Sequence, residues 1–114
     1  MREKEIELYL QERARQMGGR AYKFTSPGRT GMPDRMVVLP HARIGFLELK
    51  APGERPRREQ QLRLRELRDL GCMAAYADTR EKVDEFLCCL SLQSSADAGR
   101  EAYLEKLLEA GGLI

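Results

Sequence analysis

The chain has 114 residues, 42% of them hydrophobic and 33% charged, which is enough apolar material for one modest core and not for two. No apolar run approaches the roughly 20 residues of a membrane span, and Met1-Arg2-Glu3-Lys4-Glu5 opens an amphipathic pattern instead of a signal-peptide core, so a soluble cytoplasmic protein with no membrane partner is expected. The formal charge of +2 conceals an asymmetry of +3 over residues 1–49, +3 over 50–77 and −4 over 78–114, a basic body suited to a phosphate-bearing partner.

Glu3, Ile6, Leu10, Ala14 and Met17 recur at helical spacing and stop at Gly18-Gly19, a natural carboxyl-terminal cap. Three short apolar runs follow, Ala21 to Thr25, Arg35 to Leu39 and Ile44 to Leu49. Ser26 to Pro33, rich in glycine and proline, and the short Pro40 to Arg43 separate them, so each is expected as a strand. After Ala51-Pro52-Gly53, a helix is predicted from about Arg57 to Leu70 with Leu64, Leu67 and Leu70 inward. Cys72 to Ala77 reads as a fourth strand, and a third helix starts at about Thr79, a potential cap, with Val83, Phe86, Leu87 and Leu90 as its apolar face. The three cysteines, Cys72, Cys88 and Cys89, fit neither a disulfide framework nor a zinc site and are expected as buried thiols in a reducing compartment. Residues 1–92 thus form one α/β domain, in the order helix, three strands, helix, strand, helix. Residues 93–114 hold a linker and a last helix, Arg100 to Ala110, whose apolar side could pack on the domain or on a partner subunit.

The third strand carries the chemistry. With a side-chain period of two, Ile44, Phe46, Glu48 and Lys50 share one face and Gly45, Leu47 and Leu49 the other, so a carboxylate and an ammonium emerge together from a largely apolar strand. Burying either is unfavourable by several kcal/mol unless it is paired or bound. A plain Glu48–Lys50 ion pair would suffice, but the neighbouring strand adds a second carboxylate. Pro40 to Arg43 is short enough for a hairpin that runs residues 34–39 antiparallel to 44–49. If paired residue numbers add up to 82 or 84, Asp34 shares the face of Glu48; if they add up to 83 it points away, and the even register is predicted. Two converging carboxylates repel unless a divalent cation lies between them. Asp34, Glu48 and the carbonyl of Leu49 are hard oxygen donors suited to Mg2+ or Mn2+, and Lys50 beside them could orient an attacking water and offset charge on phosphorus.

Met32-Pro33-Asp34, a hairpin-length gap and Glu48-Leu49-Lys50 resemble the PD-(D/E)XK nuclease signature. The flanking residues, Phe24 to Arg35 and Phe46 to Gly53, are similar to those of stand-alone VRR-NUC domains, the virus-type replication-repair nucleases often carried by phages, over about residues 1–90. The resemblance implies a restriction-endonuclease-like PD-(D/E)XK core with a mixed sheet flanked by helices, in a bacterial or phage-encoded protein. It also implies a metal-dependent DNA endonuclease selective for branched DNA, such as Holliday junctions or flaps, acting as a homodimer. Family members carry an acidic residue in the first helix, here Glu3 in preference to Glu5, and a glutamine after the catalytic strand. Gln60 shares a face with Leu64 and Leu67, whereas Gln61 is turned about 100° away. Lys23, Arg29, Arg35, Arg57 and Arg58 are candidate phosphate contacts, within or near the dense basic stretch that also includes Arg55 and Arg63. His41, alone in a turn, is expected to face solvent. A non-catalytic DNA-binding version of the fold, and a restriction-type or single-strand nuclease, are the alternatives.

Overall fold

In the computed structural model, residues 2–92 and Glu109 are described. The predicted helix and linker of residues 93–114 therefore lie outside the described residues, Glu109 excepted. The elements are α1 (Glu3–Gln16), β1 (Arg20–Lys23), β2 (Arg35–Leu39), β3 (Arg43–Leu49), α2 (Arg58–Asp69), β4 (Met73–Ala77) and α3 (Arg80–Ser91), in the expected order. The first strand lies slightly earlier than Ala21 to Thr25, since Phe24 N–H still bonds the Asp34 carbonyl but the ladder ends at Lys23 paired with Arg35. No helix among the described residues is long and apolar enough to cross a membrane.

The sheet order is β1-β2-β3-β4, antiparallel except for the parallel β3–β4 pair, which α2 connects. Alternation assigns the two faces. Val37, Leu39, Leu47, Leu49 and Ala77 point to one side, where Ile6 and Leu10 of α1 and Val83, Phe86, Leu87 and Leu90 of α3 complete the core. Gly45 lies on this side because a Cβ there would stand 2.8 Å from Phe86 Cζ. Burying each large aliphatic side chain contributes about 1.5–3 kcal/mol, so this layer carries most of the domain's stability. Glu48, Phe46 and Tyr76 point to the other side, where α2 packs against β4 through Leu64.

α1 buries Ile6, Leu10 and Ala14 as expected and ends at Gly18, whose φ of +83° permits the reversal into β1. Thr79 caps α3 by accepting from Lys82 N–H at 3.1 Å. Two expectations are corrected. Leu70 is 75% exposed, because α2 ends at Asp69 and its packing onto one strand needs only a narrow stripe. Cys88 and Cys89 are exposed and Cys72 is half-buried, because the core stripe of α3 runs through Val83, Phe86, Leu87 and Leu90 and leaves positions 88 and 89 on the outside.

Candidate active site

The β2–β3 hairpin turns through His41 and Ala42, both at positive φ, with His41 exposed. Its pairs run from Leu39 with Arg43 to Arg35 with Leu47, so the residue numbers add up to 82 and the next position sets Asp34 beside Glu48. The two are cross-braced. Asp34 N–H donates to Glu48 Oε1 at 3.2 Å, and Leu49 N–H donates to Asp34 Oδ1 at 3.0 Å. Lys50 Nζ stands 3.5 Å from Glu48 Oε2, with both side chains largely buried.

Gln60 completes the cluster. Its Oε1 accepts from Arg57 N–H at 2.8 Å, one of the donors a helix start leaves unpaired, and this orients Nε2 to donate to Glu48 Oε2 at 3.0 Å. The amide orientation follows from chemistry, since only the oxygen can meet a backbone donor. Gln61 instead donates to the Pro56 carbonyl on the exposed side. The loop before Asp34 is docked on the same helix: Arg63 Nε donates to the Thr30 carbonyl at 3.0 Å, and Gly31, at φ +82°, lies so close to α2 that a Cβ would fall 2.6 Å from the Glu59 carbonyl oxygen. On the far side, Gly53 N–H donates to Asp78 Oδ2 at 2.9 Å, which fastens the loop after Lys50 to the end of β4. Lys82 and Gly53 hold the Asp78 carboxyl below its ordinary pKa.

Electrostatically the pair is under load. Burial pushes both carboxyls above the usual range; the charge of Asp34 raises Glu48 further, while Lys50 offsets part of it. The Leu49 and Asp34 amides and Arg35 pull the Asp34 carboxyl back without cancelling the rise, and Glu7 adds to it.

Glu7 is the residue that sequence reasoning missed. Glu3 is exposed at the helix start, as is Glu5, and Glu7, four residues or about 6 Å further along the axis than Glu3, reaches the sheet instead. The spacing of Glu7 with Leu10 and Ala14 carried the signal. Its carboxylate pairs with Arg35, which is only 6% exposed, so Arg35 is a buried structural cation and not a surface phosphate contact. Strand alternation explains this: Arg35 shares the face of Val37 and Leu39. Lys23, Arg29, Arg57 and Arg58 are exposed.

A mixed four-stranded sheet with two carboxylates at the mouth of a hairpin, a lysine two residues beyond the second and a glutamine from the crossover helix define a PD-(D/E)XK-type domain. A solved structure titled VRR_NUC domain superposes on 75% of this chain and 92% of its own length, with a TM-score of 0.69 and 29% identity. The chain is also similar to "Putative nuclease p44" of Acyrthosiphon pisum secondary endosymbiont phage 1, at 57% identity over 56 residues, 49% of this chain and 60% of that protein's length. No family model matches the sequence. Within the PD-(D/E)XK class, the chain has the fold of a VRR-NUC domain.

Proposed function

We propose that this domain is a metal-dependent DNA endonuclease that hydrolyses phosphodiester bonds. The observation that carries the proposal is the pair of adjoining carboxylates, Glu48 buried and Asp34 half-buried, each raised in pKa and only partly balanced by Lys50. Such a pair is costly unless a cation joins it. Among the described residues no group of three or more His, Cys, Asp or Glu side chains gathers, so the donors are two carboxylates and backbone oxygen, a hard set that fits Mg2+ or Mn2+ and not zinc. Asp34, Glu48 and the Leu49 carbonyl would hold the ion, which when bound supplies Lewis-acid polarisation of a phosphate oxygen.

The chain's own residues do the rest. The Leu49 amide and Gln60 fix the two carboxylates from opposite sides, so neither must reorganise when substrate arrives. Lys50, its ammonium 3.5 Å from Glu48, orients the attacking water and offsets the negative charge that grows on phosphorus. Glu7 and Arg35 set the field behind Asp34.

A domain of this size lacks a separate base-reading module, which supports recognition of backbone shape over sequence, and the family likeness supports branched DNA, such as junctions and flaps, as the preferred form. Symmetric cutting of a junction calls for a twofold dimer. The test incubates purified protein with Mg2+, Mn2+ or chelator on four-way junction, flap, single-stranded and linear duplex DNA. Metal-dependent cleavage, strongest on branched forms and lost in Asp34→Ala and Glu48→Ala, is expected. Cleavage that persists in chelator or in those variants overturns the mechanism, and equal cutting of all four forms overturns the selectivity.

A further inference from the structure

The outer face of α2 bears a second feature. Gln60 faces Glu48, and a groove of about 540 Å³ lies on a different side of the same helix, lined by Arg55, Arg58, Arg65 and Arg68 over an apolar floor that includes Leu62 and Tyr76. No carboxylate lines it. Several other arginines are taken up by carboxylates: Arg13 by Asp84, Arg15 by Glu12, Arg35 by Glu7, Arg63 by Glu66. Among the described residues Arg55, Arg58 and Arg65 have no ion-pair partner, and Arg68 is fixed by donating to the Ala74 carbonyl. Gathering four guanidinium groups without a counter-charge is unfavourable in isolation and becomes favourable against a polyanion.

We infer that this groove is an anchoring site for the phosphodiester backbone of DNA beyond the point of cleavage. The inference rests on the proposed nuclease reading for its choice of polyanion. Arg58 to Arg68 spans about 15 Å of helix, comparable to the axial rise of about four phosphates on one strand of a duplex. Guanidinium forks match phosphate oxygens in pairs, and the side chain of Leu62, 53% exposed, offers apolar surface to the sugar edges between them. The groove adjoins the site: Tyr76 on its floor is the register partner of Glu48, and Arg55 and Pro56 at one end precede the helix start that Gln60 joins to Glu48. Arg58 is a candidate for such contact from sequence alone. Arg65 and Arg68 join it only through the fold.

Binding is measured by fluorescence anisotropy with a labelled 20-base-pair duplex, on the full chain in chelator, so that cutting plays no part. Arg58→Glu/Arg65→Glu is expected to weaken binding at least tenfold and to make the plot of log affinity against log salt shallower by about 2. Arg58→Lys/Arg65→Lys keeps the charge and retains most of the affinity. The control Arg15→Glu/Arg20→Glu makes the same change in net charge elsewhere. Unchanged binding in the first variant, an equal loss in the control, or a polyglutamate peptide held as tightly as the duplex overturns the inference. A protein that binds through the groove yet cuts no DNA would defeat the nuclease reading alone.

Discussion

Replacing Gly31 by alanine tests whether the loop before Asp34 and the start of α2 are one mechanical unit. Two costs combine there. An alanine at φ +82° pays about 1–2 kcal/mol for left-handed backbone. The new Cβ would also lie 2.6 Å from the Glu59 carbonyl oxygen and 2.7 Å from its carbon, where real contacts stay beyond 3.0 Å, so the helix start must retreat by about 0.4 Å or more. That overpacking adds about 1–3 kcal/mol, and the retreat stretches the 3.0 Å bond from Gln60 to Glu48. Two other glycines separate the costs. Gly53 has φ +83° and open space for 4 Å around the position a Cβ would take, so Gly53→Ala shows the backbone cost alone; Gly28, in the same loop as Gly31, has neither strain nor contact. Thermal unfolding followed by circular dichroism should place Gly28→Ala near wild type, Gly53→Ala roughly 4–8 °C lower and Gly31→Ala roughly 8–20 °C lower, at about 4 °C per kcal/mol. Cleavage at a temperature where all are folded should fall about tenfold or more in Gly31→Ala, with kcat affected more than KM. If Gly31→Ala melts with Gly53→Ala and cuts like wild type, the loop does not set the position of Gln60 and the reasoning fails.

Asp34→Asn keeps an oxygen for the Leu49 amide and removes the charge, so in chelator at neutral pH it should melt above wild type while losing cleavage. The sign follows from the raised folded-state pKa values of Asp34 and Glu48: between the ordinary carboxylate value and the raised one the folded state holds more protons, so wild-type stability declines as pH rises through that window and the variant's advantage disappears below about pH 4. Adding Mg2+ or Mn2+ should raise the melting temperature of wild type and not of the variant; an unmoved wild type speaks against the metal. Asp78 behaves in the opposite sense, because Lys82 and the Gly53 amide lower its pKa. Asp78→Asn should therefore be less stable than wild type above the ordinary carboxylate range and converge with it as pH falls through the lowered value; a pH-independent difference would refute the ion pair as its cause.

The hairpin and its register were legible because a short turn and strict alternation leave few options: Pro40 to Arg43 forces antiparallel pairing, and only an even register buries Val37, Leu39, Leu47 and Leu49 together. Gln60 was legible by its angle from Leu64. Arg35 was misjudged although its alternation with Val37 and Leu39 was visible, because its partner Glu7 is 28 residues away and a cation next to Asp34 resembles a phosphate ligand. Cys88 and Cys89 have apolar neighbours in sequence, but a helix sorts neighbours by angle and turns both outward. The arginine groove was only half legible: the density of cations after Lys50 is a matter of composition, but which of them keep free guanidinium groups depends on Glu66 and the Thr30 carbonyl taking Arg63.

The pair of hydrogen bonds made by Gln60 has a thermodynamic corollary. One amide joins Glu48 to the first turn of α2, and that same helix carries the arginine groove. Whatever a cation does to the posture of Glu48 is felt by the helix start, and whatever DNA does to the helix is felt by Glu48. Linkage of this kind is reciprocal: if metal tightens the hold on DNA by some factor, DNA tightens the hold on metal by the same factor. An ion bound loosely by the empty domain would then be retained chiefly when substrate is seated, so that the chemistry is armed by the presence of something to cut.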